Sequence, residues 1–187
     1  MWQRDINLTP EQAAHPPTVF IEPLKKQPPE GYEFYRIQGE SALFRHPVIG
    51  ERIHIDLRFP VGTKVGLRET FHYDEWEKIY YYYADAGEDY DSPDIDWHSS
   101  VTMPNTAIRH WRTVTANRVC RVQGICAMDI IATGSIERSC LDDEHDRVID
   151  ETARFEDWYN TRFSRRKGFK PWSENPYVEV VTVEVVG

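Results

Sequence analysis

The chain has 187 residues, with 22 Lys and Arg against 31 Asp and Glu and a formal net charge of -9. That length suits one domain, or one domain with an extension, and six Trp with ten Tyr supply ample bulk for a core. The acidic balance argues against an indiscriminate nucleic-acid binder. No apolar run reaches the roughly 20 residues of a bilayer span and no charged-then-apolar leader opens the chain, so a cytoplasmic protein without membrane contact is expected.

Residues 1–31 are rich in Pro and polar side chains and end in QPPEG. Apart from a short helix at Thr9-Pro10, where Thr caps and Pro fills the first turn, they read as an N-terminal arm, with the domain proper at 32–187. ERIHIDLRF at 51–59 alternates at Ile53, Ile55 and Leu57, as a half-buried strand does. Pro60 to Thr63 form a turn, and VGLRETFHYDEW (65–76) begins as the next strand. Its alternation puts Val65, Leu67 and Glu69 on one side and Arg68 on the other. If Val65 and Leu67 face the core, Glu69 is a buried charge that needs a cation, with Arg109 the first choice, and Arg68 faces a neighbouring element or solvent.

KIYYYYA (78–84) reads as a strand with both faces partly covered, and 85–96 as a loop. Two further strands are expected at 109–116 and 118–123, joined at Ala116-Asn117. A short helix over about 126–134 stops at Gly134. A longer one runs from about 143 to 166, with Phe155, Trp158, Tyr159 and Phe163 as one core-facing stripe, and Gly168 and Pro171 end it. YVEVVTVEVV (177–186) is a strand of period two. About six strands and two helices, with no β-α-β alternation, indicate an α+β protein: a small, mostly antiparallel β-barrel or curled sheet with two helices packed against it.

Charge is segregated along the chain. Segment 84–96 holds six acids and no base, 97–128 no acid but Arg109, Arg112, Arg118 and Arg121, and RFSRRKGFK (162–170) five cations. Such segregation leaves either a local basic surface or solvated faces neutralised by acidic loops. Cys120, Cys126 and Cys140 are odd in number and lack C-x-x-C spacing, and the seven His form no ligand motif. Idle thiols, no metal site and no cofactor are therefore expected.

Six pieces in order, PVGTKVGLRETF (60–71), IYYYYADAG (79–87), DWHSSVTMPNTAIRHW (96–111), VTANRVCRVQGICAMDIIATGSI (114–136), FEDWYN (155–160) and WSENPYVEVVTVEVV (172–186), together resemble the ASCH domain in its bacteriophage and prophage version. The resemblance covers most of 60–186 and implies a PUA-like β-barrel with a cleft for RNA or a modified nucleobase. Some members of that family deacetylate acetylcytidine with a Lys and a Thr from an early G-x-K-x-x-T-x-R segment and a Glu at the end of the short helix. Here no such segment precedes residue 60, and Thr133 stands where the Glu belongs. Thr cannot act as a carboxylate base near neutral pH, so the chain is expected to have no catalytic residues of that kind.

Arg68 and Arg109 match the family's R-E-T and M-P-x-x-x-x-R pieces, and a guanidinium can grip phosphate or stack on a base; each can equally be half of an Arg–Glu pair in the barrel mouth. Glu69 and Arg112 belong to the same candidate set. Trp97, Trp172, Asn175 and Tyr177 flank the expected cleft, where aromatics stack bases and Asn reads an edge. Alternatively Trp172 packs on the core and Asn175 makes an Asx turn before Pro176. Arg165, Arg166, Lys167 and Lys170 either complement the dipole of the long helix or form a phosphate-binding rim. Three functions follow: non-catalytic binding of RNA or a nucleotide by a phage-type ASCH-like protein; an acidic factor that engages a host or defence protein through 84–96 and 137–151; or a residual hydrolase using Glu69 with Lys64.

Overall fold

A computed structural model describes residues 4–86, 95–136 and 143–185. Among them run β1 (Arg4–Asn7), α1 (Pro10–Ala14), β2 (Val19–Pro23), β3 (Glu33–Gln38), β4 (Ser41–Arg45), β5 (Arg52–Asp56), β6 (Lys64–Arg68), β7 (Phe71–Asp74), β8 (Ile79–Tyr82), β9 (His110–Arg121), α2 (Ala127–Ala132), α3 (Glu144–Phe163) and β10 (Tyr177–Val185). The fold is α+β, with a curled, mostly antiparallel sheet forming half a barrel. Five strands lie in the order β1-β6-β9-β10-β2, while β3-β4-β5 form a three-stranded meander and β7-β8 a hairpin. No described helix is long and apolar enough to cross a membrane.

β10 is Val-rich because both its faces are covered. Val178 and Val180 pack with Phe155, Tyr159, Phe163 and Trp172 beneath α3, and Val181 and Val183 pack with Ile6, Leu8, Phe59, Val65 and Leu67 on the other side. The long helix starts where Asp143 accepts hydrogen bonds from the backbone N–H groups of His145 (2.8 Å) and Asp146 (3.1 Å). Its stripe of Phe155, Tyr159 and Phe163 is buried as expected, and the short helix ends at Gly134 with φ +61°.

The segment expected as an arm is instead part of the sheet. β1 pairs in parallel with β6, β2 pairs antiparallel with β10, and Ile6, Leu8, Phe20, Ile21 and Leu24 are buried. Thr9 and Gln12 form a full capping box at the start of α1, and the Gln12 amide donates to the Thr133 carbonyl at 2.7 Å, tying α1 to the end of α2. Polar and Pro-rich spacing hid these short edge strands. The short helix expected at Thr9-Pro10 is α1, a third beside the two expected to pack on the sheet.

The two strands expected at 109–116 and 118–123 are one, β9. Its register against β10 shifts between Thr182 and Val183, leaving Thr115 as an extra residue between Val114 and Ala116. Asn117, which reads as a turn residue, instead donates from its side-chain amide to Phe59 O (2.7 Å) and Glu179 Oε2 (2.8 Å). The expected strands at 51–59, 65 onward and 78–84 are present as β5, β6 and β8.

Gly66 lies where β1, β6 and β9 crowd together: a Cβ there would meet Ile108 Cδ1 at 2.8 Å, Asp5 Oδ1 at 3.0 Å and Trp111 Cη2 at 3.2 Å. Gly66→Ala should cost about 1–3 kcal/mol, as overpacking does, read as a lowered denaturant midpoint. An unchanged midpoint would mean that β1 is not held against β6 as described.

Candidate functional site

Strands β1 and β2 are the two edges of the five-stranded sheet, and residues from both line one cleft of about 790 Å³. Asp5 and Asn7 come from β1, Pro23, Leu24 and Lys25 from the end of β2, and Asp56 to Arg58 from the end of β5. Arg68 at the end of β6, Val101, and Arg166 to Phe169 beyond α3 complete the described wall. Among these residues five cations, Lys25, Arg58, Arg68, Arg166 and Lys167, face two carboxylates, Asp5 and Asp56. On a chain of net charge -9 this is a reversal of local sign. It is also the geometry in which low-dielectric walls focus a positive field.

Beneath the cations lie two buried carboxylates, Glu22 and Glu179, opposite one another on β2 and β10. Glu22 Oε2 accepts from Arg58 Nη1 at 3.2 Å and from Arg166 Nη1 at 2.5 Å. Glu179 accepts from Arg58 N (2.7 Å), Phe59 N (3.1 Å) and the Asn117 amide. Burial pushes the Glu179 carboxyl above its ordinary range, against those three donors, which pull it down. Arg162, half-buried, donates to the Asn7 carbonyl on β1; desolvation lowers its pKa, and the field of Glu22 opposes that shift. The Tyr159 hydroxyl is buried without a hydrogen-bond partner among the described residues, and burial raises its pKa.

Elsewhere, Glu69 and Arg109 pair as expected. Val65, Leu67 and Glu69 are all fully buried, and Arg109 grips Glu69 bidentately, Nε to Oε1 and Nη2 to Oε2, both at 2.8 Å. Arg109 also pairs with Asp85 and lies over the Tyr82 ring, 4.1 Å from its centroid. The hydrogen bond to Glu69 is the main reason that its pKa is raised. Burial, with Arg109 alongside, holds His110 below the usual imidazole range. This is a closed structural cluster.

Of the other expected site residues, Arg68, Arg166 and Lys167 meet in the cleft. Arg68 is held by Asp5 at 2.7 Å and Asn105 Oδ1 at 2.9 Å. Trp97, Arg112, Trp172, Asn175, Tyr177, Arg165 and Lys170 do not line it. Trp97 packs edge-on against Tyr83. Arg112 donates to the Trp111 carbonyl. Trp172 packs between Phe155 and Tyr159. Asn175 adopts the left-handed conformation, φ 47°, with its side chain accepting from Gln123 N. Tyr177 is buried against Phe44 with the Arg121 guanidinium 3.9 Å above its ring. Lys170 pairs with Glu174, and Arg165 is exposed.

Sequence reasoning missed Lys25, Arg58, Glu22 and Glu179. One signal was available: period-two alternation turns Glu179 to the same face as Val181 and Val183, so a carboxylate was bound to be buried there. Of the acidic runs expected as a protein-binding surface, 87–94 of 84–96 and 137–142 of 137–151 lie outside the described residues, as does Cys140, whereas Asp143, Glu144, Asp146, Asp150 and Glu151 cap or belong to the first turns of α3. Among the described residues no group of His, Cys, Asp and Glu could hold a metal ion.

Comparison with family models, curated proteins and solved structures finds no match to this chain.

Arg109→Ala would leave Glu69 buried without its cation. Breaking such a pair costs about 3–5 kcal/mol, so the variant should unfold at markedly lower denaturant or temperature while anion binding by the remaining folded protein is unchanged. Loss of binding with full stability would instead place Arg109 in a ligand site.

Proposed function

We propose that this chain is a non-catalytic binder of a phosphate-bearing ligand, RNA or a nucleotide, which it takes in the cleft between β1 and β2. The observation that carries the reading is the excess of five cations over two carboxylates along that cleft, on a chain that is otherwise acidic. Lys25 and Lys167 are exposed and line the cleft. They suit phosphate contact because their charge is not committed to a buried partner.

The ordered motifs of 60–186 further support an ASCH-like, PUA-like protein of bacteriophage type, acting in the host cytoplasm, its half-barrel being the family's barrel left open along the β1–β2 seam. The absence of catalysis fits the state of Thr133. Its hydroxyl donates to Ile130 O at 2.6 Å and accepts from Ser135 N at 3.2 Å, so it caps a helix rather than serving as a base. The pair suggested for residual hydrolysis is also unsuited, since Glu69 is consumed by Arg109 and Lys64 lies over the Trp111 ring.

Two measurements test this. Affinity for a short single-stranded RNA should fall with salt at a log–log slope of about -0.7 per phosphate contacted. The Lys25→Ala, Lys167→Ala double variant should weaken binding and flatten that slope by roughly the two lost contacts. An absence of binding at low salt sinks the proposal. Acetylcytidine incubated with concentrated protein should remain intact, and substantial deacetylation would show a catalytic set that the residues named here do not provide.

A further inference from the structure

We infer that the phosphate bound in this cleft is a terminal one, a phosphate monoester on a nucleoside, clamped between Arg58 and Arg166. The inference rests on the reading of the cleft as a phosphate site and narrows it to one ligand class. The two guanidiniums enter from different elements, Arg58 after β5 and Arg166 after α3, yet both place an Nη1 on the same oxygen of Glu22. Each guanidinium has five N–H donors, and Glu22 takes one from each. Their side chains remain 40% and 38% exposed, against 4% for Glu22. Arg58 is further steadied over the Phe59 ring (5.2 Å) and Arg166 over the Phe163 ring (4.5 Å). Buried anchorage with exposed forks is a preorganised clamp, in which the ordering cost is met before the ligand arrives.

Charge selects the ligand. The cleft wall carries five cations and two carboxylates; Glu22, the shared acceptor of Arg58 and Arg166, adds a third carboxylate. Five cations then stand against three carboxylates, an excess of two positive charges. An internal phosphodiester brings one negative charge, whereas a monoester brings about 1.5 to 2 at neutral pH and a third free oxygen for the forks. Only the monoester matches both the charge and the donors. Leu24, Leu57 and Phe169 in the same cleft give the attached nucleoside an apolar wall, and the volume of about 790 Å³ falls within the range of small-ligand sites.

The probes are adenosine, adenosine 5′-monophosphate, and an adenosine ribohexamer with a 5′-phosphate or a 5′-hydroxyl, titrated calorimetrically at about 100 mM salt, where non-specific contacts are weakened. Each 5′-phosphorylated probe should bind at least about tenfold tighter than its unphosphorylated counterpart, as a bidentate charge-assisted clamp requires. Monophosphate binding as tightly as the phosphorylated hexamer identifies a free nucleotide as the source of the phosphate; tighter hexamer binding identifies a chain end. Either result supports the clamp. Arg166→Lys, which keeps the charge but loses the fork, should shrink the phosphate preference to about twofold, with the larger loss falling on the 5′-phosphorylated hexamer. Exposed Lys167→Ala should reduce the preference with no change in melting temperature. Equal binding of the two hexamers overturns the monoester inference and leaves the broader phosphate reading standing. Failure of every probe overturns both.

Discussion

Two carboxylates facing each other across a buried strand pair would ordinarily be intolerable, since like charges directly opposite in a sheet repel and burial multiplies the cost. Glu22 and Glu179 hold that position, and much of the architecture is their compensation. Glu179 draws the backbone of Arg58 and Phe59 onto the sheet and engages Asn117 of β9. The meander β3-β4-β5 is thereby joined to the five-stranded sheet through its exit segment. Glu22 draws in the Arg58 side chain and, from beyond α3, Arg166. Arg162 then reaches across to the β1 backbone. The polar cluster therefore spans the open seam of the half-barrel and fixes where its edges stand. The cleft is basic in part because Glu22 alone draws in two guanidiniums, those of Arg58 and Arg166.

What was legible in the sequence follows from which signals are local. The β5 alternation, the stripe of α3, the Gly134 stop and the period-two pattern of β10 are properties of contiguous residues, and each is present in the fold. β1 and β2 were not legible because four- and five-residue strands beside Pro-rich text carry little periodicity. Their strand character comes from pairing with β6 and β10, which is a tertiary fact. The single β9 was misread at Ala116-Asn117 for a related reason. Asn signals a turn when its side chain serves its own backbone, but here it serves Glu179 sixty-two residues away.

The site was half legible. Alternation alone placed Glu69 inside and required a cation for it. Arg68, Arg166 and Lys167 were candidates on chemistry, yet nothing in their spacing shows that the end of β6 and the exit of α3 border one cleft. The aromatic and Asn candidates at 172–177 do not line the cleft, because a residue type suited to reading bases is equally suited to closing a core. Trp172 and Tyr177 have their faces covered by other side chains, which leaves them nothing to offer a ligand.

The two arginine–glutamate clusters differ in how their arginine donors are committed. Arg109 spends its Nε and Nη groups on Glu69 and Asp85 and has Tyr82 against its face. Its fork is saturated, and a ligand could enter only by displacing a carboxylate that has no other cation. Arg68 is intermediate: its Nη groups serve Asp5, Asn105 and the Val101 carbonyl, so it shapes the wall and contributes field more than it grips. Arg58 and Arg166 each make one side-chain hydrogen bond to Glu22 and line the cleft. The same residue pair thus yields a rivet in one place and, at Glu22, two guanidiniums that share a single acceptor. The difference lies in how many carboxylate oxygens the fold supplies to each guanidinium. At Glu22 one oxygen is shared by two, and that shortfall of acceptors is what a phosphate is suited to fill.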